Sequence, residues 1–128
     1  MFVHTSIRTS NVERSIDFYT RLLGLEVLSR REINQTNSEI VFLRDPKGEG
    51  STLELTFYRD QKKFFQPEYE ERLFDHLAFK VGDMSQTIAA MRKENVTVTD
   101  EPFKLGSDGP TICFIEDPDG TLIELIER

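Results

Sequence analysis

Hydrophobic and polar residues alternate over eight short stretches of this 128-residue chain. A period of two places apolar side chains on one face of a β-strand and polar side chains on the other, so each stretch is predicted to be a strand. The predicted strands span residues 2–8, 25–31, 39–44, 52–58, 76–81, 96–100, 111–116 and 121–127.

Two helices are predicted, each after the first strand of one half of the chain. The residues from Ser10 to Glu13 match a capping box, so the first helix is expected to begin there, and Gly24 is a natural stop. Its predicted apolar stripe consists of Val12, Ile16, Tyr19 and Leu23. The second helix is predicted over residues 83–94. Each half therefore has the order βαβββ.

The chain carries nearly the same segments twice. His4 recurs as His76, Asp45-Pro46-Lys47-Gly48 as Asp117-Pro118-Asp119-Gly120, and Leu53-Glu54-Leu55 as Ile123-Glu124-Leu125. The first two offsets are 72 residues (76 − 4 and 117 − 45), whereas the third is 70, because the first turn holds two extra residues, Glu49 and Gly50. Each half thus opens with one of the two histidines of the chain and nears its end on a glutamate flanked by aliphatic residues.

The repeated histidines and glutamates predict a metal site. A lone strand histidine is more often a hydrogen-bonded structural residue, and a glutamate among aliphatic residues is often only the solvent face of a strand. Such residues need not recur at matching positions, however, and each of the four lies opposite a strongly apolar face. The predicted ligands of one divalent ion are His4, Glu54, His76 and Glu124. Two nitrogens and two oxygens suit Ni²⁺, Co²⁺, Zn²⁺, Fe²⁺ or Mn²⁺, and leave open positions for substrate oxygens.

Composition narrows the class of protein. The net charge of −7 argues against a nucleic-acid partner, and no stretch resembles a targeting segment or a membrane span. The single cysteine, Cys113, excludes an internal disulfide framework and fits a reducing cytoplasm. A single domain over residues 1–128 is expected, with modules 1–58 and 75–128 joined by a linker, 59–74. The aromatic residues of that linker are expected either to cover the core edge or to form a lid or pocket wall.

Taken in order, these motifs resemble the glyoxalase I branch of the vicinal oxygen chelate superfamily over essentially the whole chain. The matching segments are His4-Thr5, Arg14-Ser15-Ile16-Asp17-Phe18-Tyr19, Leu23-Gly24, Leu53-Glu54-Leu55-Thr56, the His76 strand, and Glu116-Asp117-Pro118-Asp119-Gly120 with Ile123-Glu124-Leu125. The resemblance implies an α+β fold in which two tandem βαβββ modules form a cupped mixed sheet. It also implies a homodimer with shared metal sites, each taking His4 and Glu54 from one subunit and His76 and Glu124 from the other.

The family reaction converts the hemithioacetal of methylglyoxal and glutathione into S-D-lactoylglutathione by proton transfer through an enediolate. By resemblance, Glu124 is expected to be the base, with Glu54 acting on the opposite face. A glutamate at the second ligand position, in a short chain without long insertions, resembles the nickel- or cobalt-activated type more than the zinc type. The resemblance therefore implies one divalent ion per site, with zinc as a further option, and glutathione as the co-substrate.

Four further residues are predicted to bind the thiol, and here the chain departs from its family. Arg8 corresponds to a residue that contacts the glutamyl carboxylate of glutathione, and Arg72 matches a thiol-binding position of some members, although either could instead form a surface ion pair. Tyr58 stands where the family usually has Asn, and Lys104 is at most the one counterpart of two family lysines.

Because these departures concern the thiol, three functional alternatives stay open. The same metal site could act on the hemithioacetal of another thiol or on an acyl-CoA. The third alternative is a non-enzymatic protein that binds a small molecule, although such binders generally lack a complete set of metal ligands.

Overall fold

The repeated βαβββ order is present in both halves of the computed structural model, which describes residues 1–128. The chain divides into two compact units, residues 1–65 and 66–128, so the division falls inside the segment predicted as a linker. The first unit contains β1 (His4–Arg8), α1 (Val12–Asp17), a π-helical turn (Phe18–Leu22), β2 (Glu26–Ile33), a 3₁₀ turn (Asn34–Thr36), β3 (Ser38–Arg44) and β4 (Thr52–Tyr58). The second contains a 3₁₀ turn (Tyr69–Glu71), β5 (Leu77–Val81), α2 (Met84–Lys93), β6 (Val98–Lys104), β7 (Thr111–Glu116) and β8 (Leu122–Glu127). The predicted α+β class with two βαβββ modules is therefore confirmed.

Each unit forms its own four-stranded mixed sheet. The strand orders are β1-β4-β3-β2 and β5-β8-β7-β6, and in each sheet the first pair is parallel and the other two are antiparallel. Across the parallel pairs, Ser6 lies opposite Glu54 and Ala78 lies opposite Glu124. The two sheets thus have the same register around their glutamates, while pairing across a homodimer stays a prediction.

The core of each unit lies on the sheet face opposite these glutamates. In the first unit Leu53 and Leu55 of β4 are buried together with Tyr19. In the second unit Ile123 and Leu125 of β8 are buried, as is Met91 of α2. Burying a large aliphatic side chain stabilises a fold by about 1.5–3 kcal/mol. The aliphatic residues of each strand therefore face the core, and the glutamates between them must point to the other face of the sheet. None of the helices is long and apolar enough to cross a bilayer.

The predicted start of α1 is wrong by one residue. The N-cap is Asn11, not Ser10, because the Asn11 Oδ1 atom accepts the Arg14 backbone N–H at 3.0 Å. The buried Thr9 hydroxyl contacts both the N–H and the carbonyl group of Asn11, which sets where the chain enters the helix. The Ser10 hydroxyl instead accepts a hydrogen bond from the Arg14 guanidinium, at 2.9 Å.

The predicted apolar stripe of this helix is only partly correct. Val12 and Tyr19 are buried, but Ile16 and Leu23 are half-buried, and Phe18 is buried in their place. The cause is the π-helical turn, which carries more residues per turn than an α-helix and therefore shifts the buried face.

The aromatic residues of the segment between the modules do not cover a core edge. The exposed fractions are 84% for Phe65, 62% for Tyr69 and 50% for Phe74, whereas Phe64 is half-buried. The first of the two interpretations of this segment is therefore wrong for three of its four aromatic residues. A lid or pocket wall stays a hypothesis.

Candidate metal and thiol site

The first histidine–glutamate pair forms between the two parallel strands of the first unit. His4 and Glu54 lie on the same sheet face, and the His4 Nε2 atom is 3.9 Å from the Glu54 Oε2 atom. Phe42, which lies opposite Glu54 on β3, packs edge-on against the His4 ring, with 5.2 Å between ring centroids. The unit therefore presents one nitrogen and one carboxylate oxygen beside an aromatic wall.

The second unit builds the same arrangement. The His76 Nε2 atom is 3.0 Å from the Glu124 Oε2 atom, and Phe114 packs edge-on against the His76 ring at 5.4 Å. Phe42 and Phe114 are themselves repeat partners, since 114 − 42 = 72. The sequence analysis missed both phenylalanines, although the 72-residue offset could have identified them.

A further contact, with Asp75, orients the ring of His76. Its Nδ1 atom lies 2.6 Å from the Asp75 carboxylate, which can only accept, so Nδ1 carries the hydrogen. In a neutral ring Nε2 then presents a lone pair toward Glu124, which is a second acceptor. With the hydrogen on Nδ1, the Nε2 lone pair and the Glu124 carboxylate can both bind one metal ion.

The ligand spacing fits a metal ion. Two atoms about 2.1 Å from one ion lie about 3.0 Å apart at a right angle and about 3.4 Å apart at the tetrahedral angle. The His76–Glu124 distance matches the first value, and the His4–Glu54 distance of 3.9 Å needs only a small side-chain rotation. No group of three or more His, Cys, Asp or Glu side chains is gathered as a ready metal site, so each unit by itself supplies two ligands.

The two glutamates differ in their hydrogen-bond partners. The Glu54 Oε1 atom accepts from the Ser6 hydroxyl at 2.7 Å and from the Thr56 hydroxyl at 2.9 Å. The corresponding positions around Glu124 are Ala78 and Ile126, which carry no polar side-chain group. Alternation along the strands places Ser6 on the face of His4 and Thr56 on the face of Glu54, but neither residue was predicted to have a role in the site.

Arg8 is held from two sides. Its Cζ atom lies 4.5 Å from the centroid of the Tyr58 ring, and its Nη1 atom donates to Gln61 Oε1 at 2.9 Å. Arg8 is exposed and shares the sheet face of His4, so an anion can reach its remaining donors. Gln61 was not predicted, and no sequence pattern pointed to it.

Arg72 and Lys104 have no contact in the structure that supports a role in binding the thiol. The Arg72 Nε atom donates to the Pro67 carbonyl at 3.4 Å. Lys104 on β6 lies opposite Thr111 on β7, which in turn lies opposite Glu127 on β8. The Glu127 carboxylate accepts the Met84 backbone N–H at the start of α2. Side chains alternate between the two faces along β8, so Glu127, three residues from Glu124 (127 − 124), points to the face opposite Glu124. Thr111 and Lys104, which lie beside Glu127 across the sheet, share that opposite face. Lys104 also lines an open cavity of about 520 Å³.

Cys113 is excluded as a ligand or nucleophile. Burial raises the pKa of its thiol to about 11, with a further contribution from Glu101, so the group stays protonated at neutral pH. Its Sγ atom donates to the Asp100 carbonyl at 3.1 Å. The chemistry of the site therefore depends on nitrogen and oxygen donors alone.

Residues 1–125 match the Glyoxalase/Bleomycin resistance protein/Dioxygenase superfamily. The chain belongs to this family. The lactoylglutathione lyase of Escherichia coli O157:H7 is 33% identical over 128 residues, which cover 98% of this chain and 91% of that protein. A lactoylglutathione lyase of Arabidopsis thaliana is 31% identical over 129 residues, and there this chain spans only 44% of the relative.

A solved structure has the same fold. The trypanothione-dependent glyoxalase I of Leishmania major superimposes with a TM-score of 0.80 at 33% identity, over 98% of this chain and 84% of that one. The resemblance to the glyoxalase I branch found from the motifs is therefore confirmed.

Proposed function

We propose that this protein is a metal-dependent lactoylglutathione lyase, which isomerises the hemithioacetal of methylglyoxal and glutathione to S-D-lactoylglutathione. The observation that carries the proposal is the repeat of one histidine–glutamate pair, with its aromatic wall, in both modules. The names of the full-length bacterial relatives support it. The single free cysteine fits a reducing cytoplasm as the compartment.

The proposed cofactor is one divalent ion held by His4, Glu54, His76 and Glu124. Each pair offers only two ligands, so a complete site uses both, and we propose that it is shared in a homodimer. Nickel or cobalt is proposed ahead of zinc by resemblance to the nickel- or cobalt-activated type of the family, which the glutamate at the second ligand position and the short chain resemble. When bound, the ion supplies Lewis-acid stabilisation of negative charge on two adjacent substrate oxygens.

The chain itself moves the proton. Glu124 is proposed to accept the proton from C1 of the hemithioacetal, the carbon that carries the hydroxyl group and the sulfur, and to return it to C2. A positioned general base of this kind contributes about 10²–10⁴-fold to the rate. His76 holds the Glu124 carboxylate at 3.0 Å, while Asp75 fixes the ring of His76.

Arg8 is proposed to bind the glutamyl carboxylate of the thiol. A guanidinium suits a carboxylate because two parallel N–H groups match its two oxygens. Tyr58 and Gln61 support this role by holding the guanidinium. Arg72 and Lys104 are less well supported, because Arg72 donates to the Pro67 carbonyl and Lys104 lies on the sheet face opposite Glu124.

The test is turnover of purified protein, stripped of metal and then loaded with Ni²⁺, Co²⁺ or Zn²⁺. Substrates are the methylglyoxal hemithioacetals of glutathione and of trypanothione, since the Leishmania protein is described as trypanothione-dependent. Turnover of the glutathione adduct that requires added metal is the expected result. Turnover with trypanothione alone would retain the metal site and reject glutathione. Tight metal binding without turnover of either adduct would favour a binding protein or an acyl-CoA enzyme.

A further inference from the structure

We infer that Ser6 and Thr56 are positioning residues that fix Glu54 as a permanent metal ligand, and that their absence around Glu124 leaves that carboxylate free to move. This inference rests on the proposed function. It assigns different tasks to two glutamates that the repeat makes equivalent. It also gives a role to two hydroxyl groups outside the predicted site.

The contacts around Glu54 form a closed triangle. Ser6 Oγ and Thr56 Oγ1 both lie within hydrogen-bond distance of Glu54 Oε1, at 2.7 and 2.9 Å, and within 2.9 Å of each other. Two hydroxyl groups have two hydrogens for these three contacts. The carboxylate is the strongest acceptor of the three, so both hydrogens are directed to Oε1. Thr56 is 6% exposed, which keeps water from replacing its hydroxyl.

The two oxygens of the Glu54 carboxylate have different partners. Oε1 is occupied by the hydroxyls, whereas Oε2 faces His4 at 3.9 Å and is available to a metal ion. Rotation of the Glu54 carboxylate away from the ion would break both hydroxyl contacts. Glu54 is therefore held in the orientation of a monodentate ligand.

No hydroxyl group restrains Glu124 in this way, and its contact with His76 is made through Oε2. Its strand has the same register, but the residue opposite it is Ala78, where Glu54 has Ser6. The residue two positions along is Ile126, where the first module has Thr56. A carboxylate that must leave its ligand position to accept a proton is expected at the untethered position, which agrees with Glu124 as the base.

Two reciprocal substitutions test the inference. Ser6→Ala removes one hydroxyl from Glu54, and Ala78→Ser places a hydroxyl at the equivalent position beside Glu124. Both positions are exposed, so neither change disturbs the core. Thr56→Val, alone and combined with Ser6→Ala, removes the second hydroxyl with little change of shape. Ser6→Thr is the conservative variant that should restore the wild-type behaviour.

The readouts are the dissociation constant of Ni²⁺, from titration calorimetry on the metal-free protein, and kcat at saturating metal. Loss of one charge-assisted hydrogen bond corresponds to about 10- to 150-fold in affinity. For Ser6→Ala combined with Thr56→Val, which loses two, we expect the Ni²⁺ dissociation constant to rise by at least this range. For Ala78→Ser we expect kcat to fall about 10-fold or more while Ni²⁺ binds as in the wild type, because the base is now tethered.

If the double variant binds Ni²⁺ with the wild-type dissociation constant, the Ser6 and Thr56 hydroxyls do not hold Glu54 for metal binding, and the inference is wrong. If that variant does not fold, the same outcome in Ser6→Ala alone decides. Unchanged kcat in Ala78→Ser, with thermal unfolding like the wild type, would overturn the link between tethering and turnover. Calorimetry needs no substrate, so a failure of the proposed function, seen as no turnover in the wild type, is distinguishable from a failure of this inference.

Discussion

Replacing Tyr58 by Leu tests whether the aromatic ring binds the thiol through Arg8 or directly. In the structure the ring lies 4.5 Å from the Arg8 guanidinium carbon, which is the geometry of a cation–π pair. Such a pair at an exposed site contributes about 0.5–1 kcal/mol, which corresponds to about 2- to 5-fold in affinity. Arg8→Ala removes the proposed carboxylate contact itself, with about 1.5–3 kcal/mol, or roughly 10- to 150-fold.

A double-mutant cycle separates the two possibilities. Tyr58→Leu should weaken binding of a non-reactive S-alkyl glutathione about 2- to 5-fold in the wild-type background, and should have almost no effect when Arg8 is already Ala. The matched control Tyr58→Phe keeps the ring and should behave like the wild type. We expect the same pattern in KM, with kcat little changed, because the carboxylate is remote from the reacting carbons.

The assay is titration calorimetry of the four proteins with the glutathione thioether, followed by steady-state kinetics. Equal losses from Tyr58→Leu in both backgrounds would refute a role through Arg8 and indicate that the ring contacts the ligand directly. An unchanged dissociation constant in Arg8→Ala would remove Arg8 from the thiol site altogether. Neither outcome affects the metal ligands, which are assayed separately.

Three further predictions concern the ligand pairs and the core. Glu124→Gln should lower kcat about 10²–10⁴-fold on metal-loaded protein, because an amide oxygen can still bind a metal but cannot accept a proton, and near-normal turnover would contradict the assigned base. Asp75→Ala should raise the Ni²⁺ dissociation constant about 10- to 100-fold by removing the partner of His76 Nδ1, and calorimetry with an unchanged constant would disprove this role. The pKa of the Cys113 thiol is raised from 9.0 to about 11 in the folded chain. The unfolded chain therefore loses this proton at lower pH than the folded chain, so the free energy of unfolding should fall as pH rises from 9 to 11. Urea unfolding of Cys113→Ala should lack this part of the pH dependence, and identical pH profiles for both proteins would exclude it.

The strands that were predicted most accurately are central ones. β4 and β7 have the predicted bounds, because each lies between two neighbours and buries one face, which imposes a clear alternation. β6 was predicted over 96–100 and is found at Val98–Lys104. It is an edge strand, exposed along most of its length and irregular on both sides of Asp100, and it contains Pro102. The alternation that predicted residues 96–100 does not continue into Glu101-Pro102-Phe103-Lys104, so the sequence did not indicate where this edge strand ends.

The site residues that could be predicted from the sequence are those that recur in both halves of the chain. The repeat led to His4, Glu54, His76 and Glu124, and the geometry joins these as two equivalent pairs. Asp75 was missed because its repeat partner is Val3, so no recurrence marked it. Gln61 lies beyond the last strand of its module, where neither alternation nor repeat applies. Contacts that differ between the two modules could therefore be identified only from the structure.

The parallel strand pairs also connect metal binding to folding. In the first module His4 begins the first strand and Glu54 lies on the last strand, 50 residues apart in sequence (54 − 4). In the second module His76 directly precedes the first strand and Glu124 lies on the last strand, 48 residues apart (124 − 76). Bringing such distant residues together is the step that loop-closure entropy opposes most. A ligand that binds only the closed module shifts this equilibrium by mass action. An ion at these pairs would therefore hold the two ends of each module together, and its free concentration would set the fraction of modules that are closed.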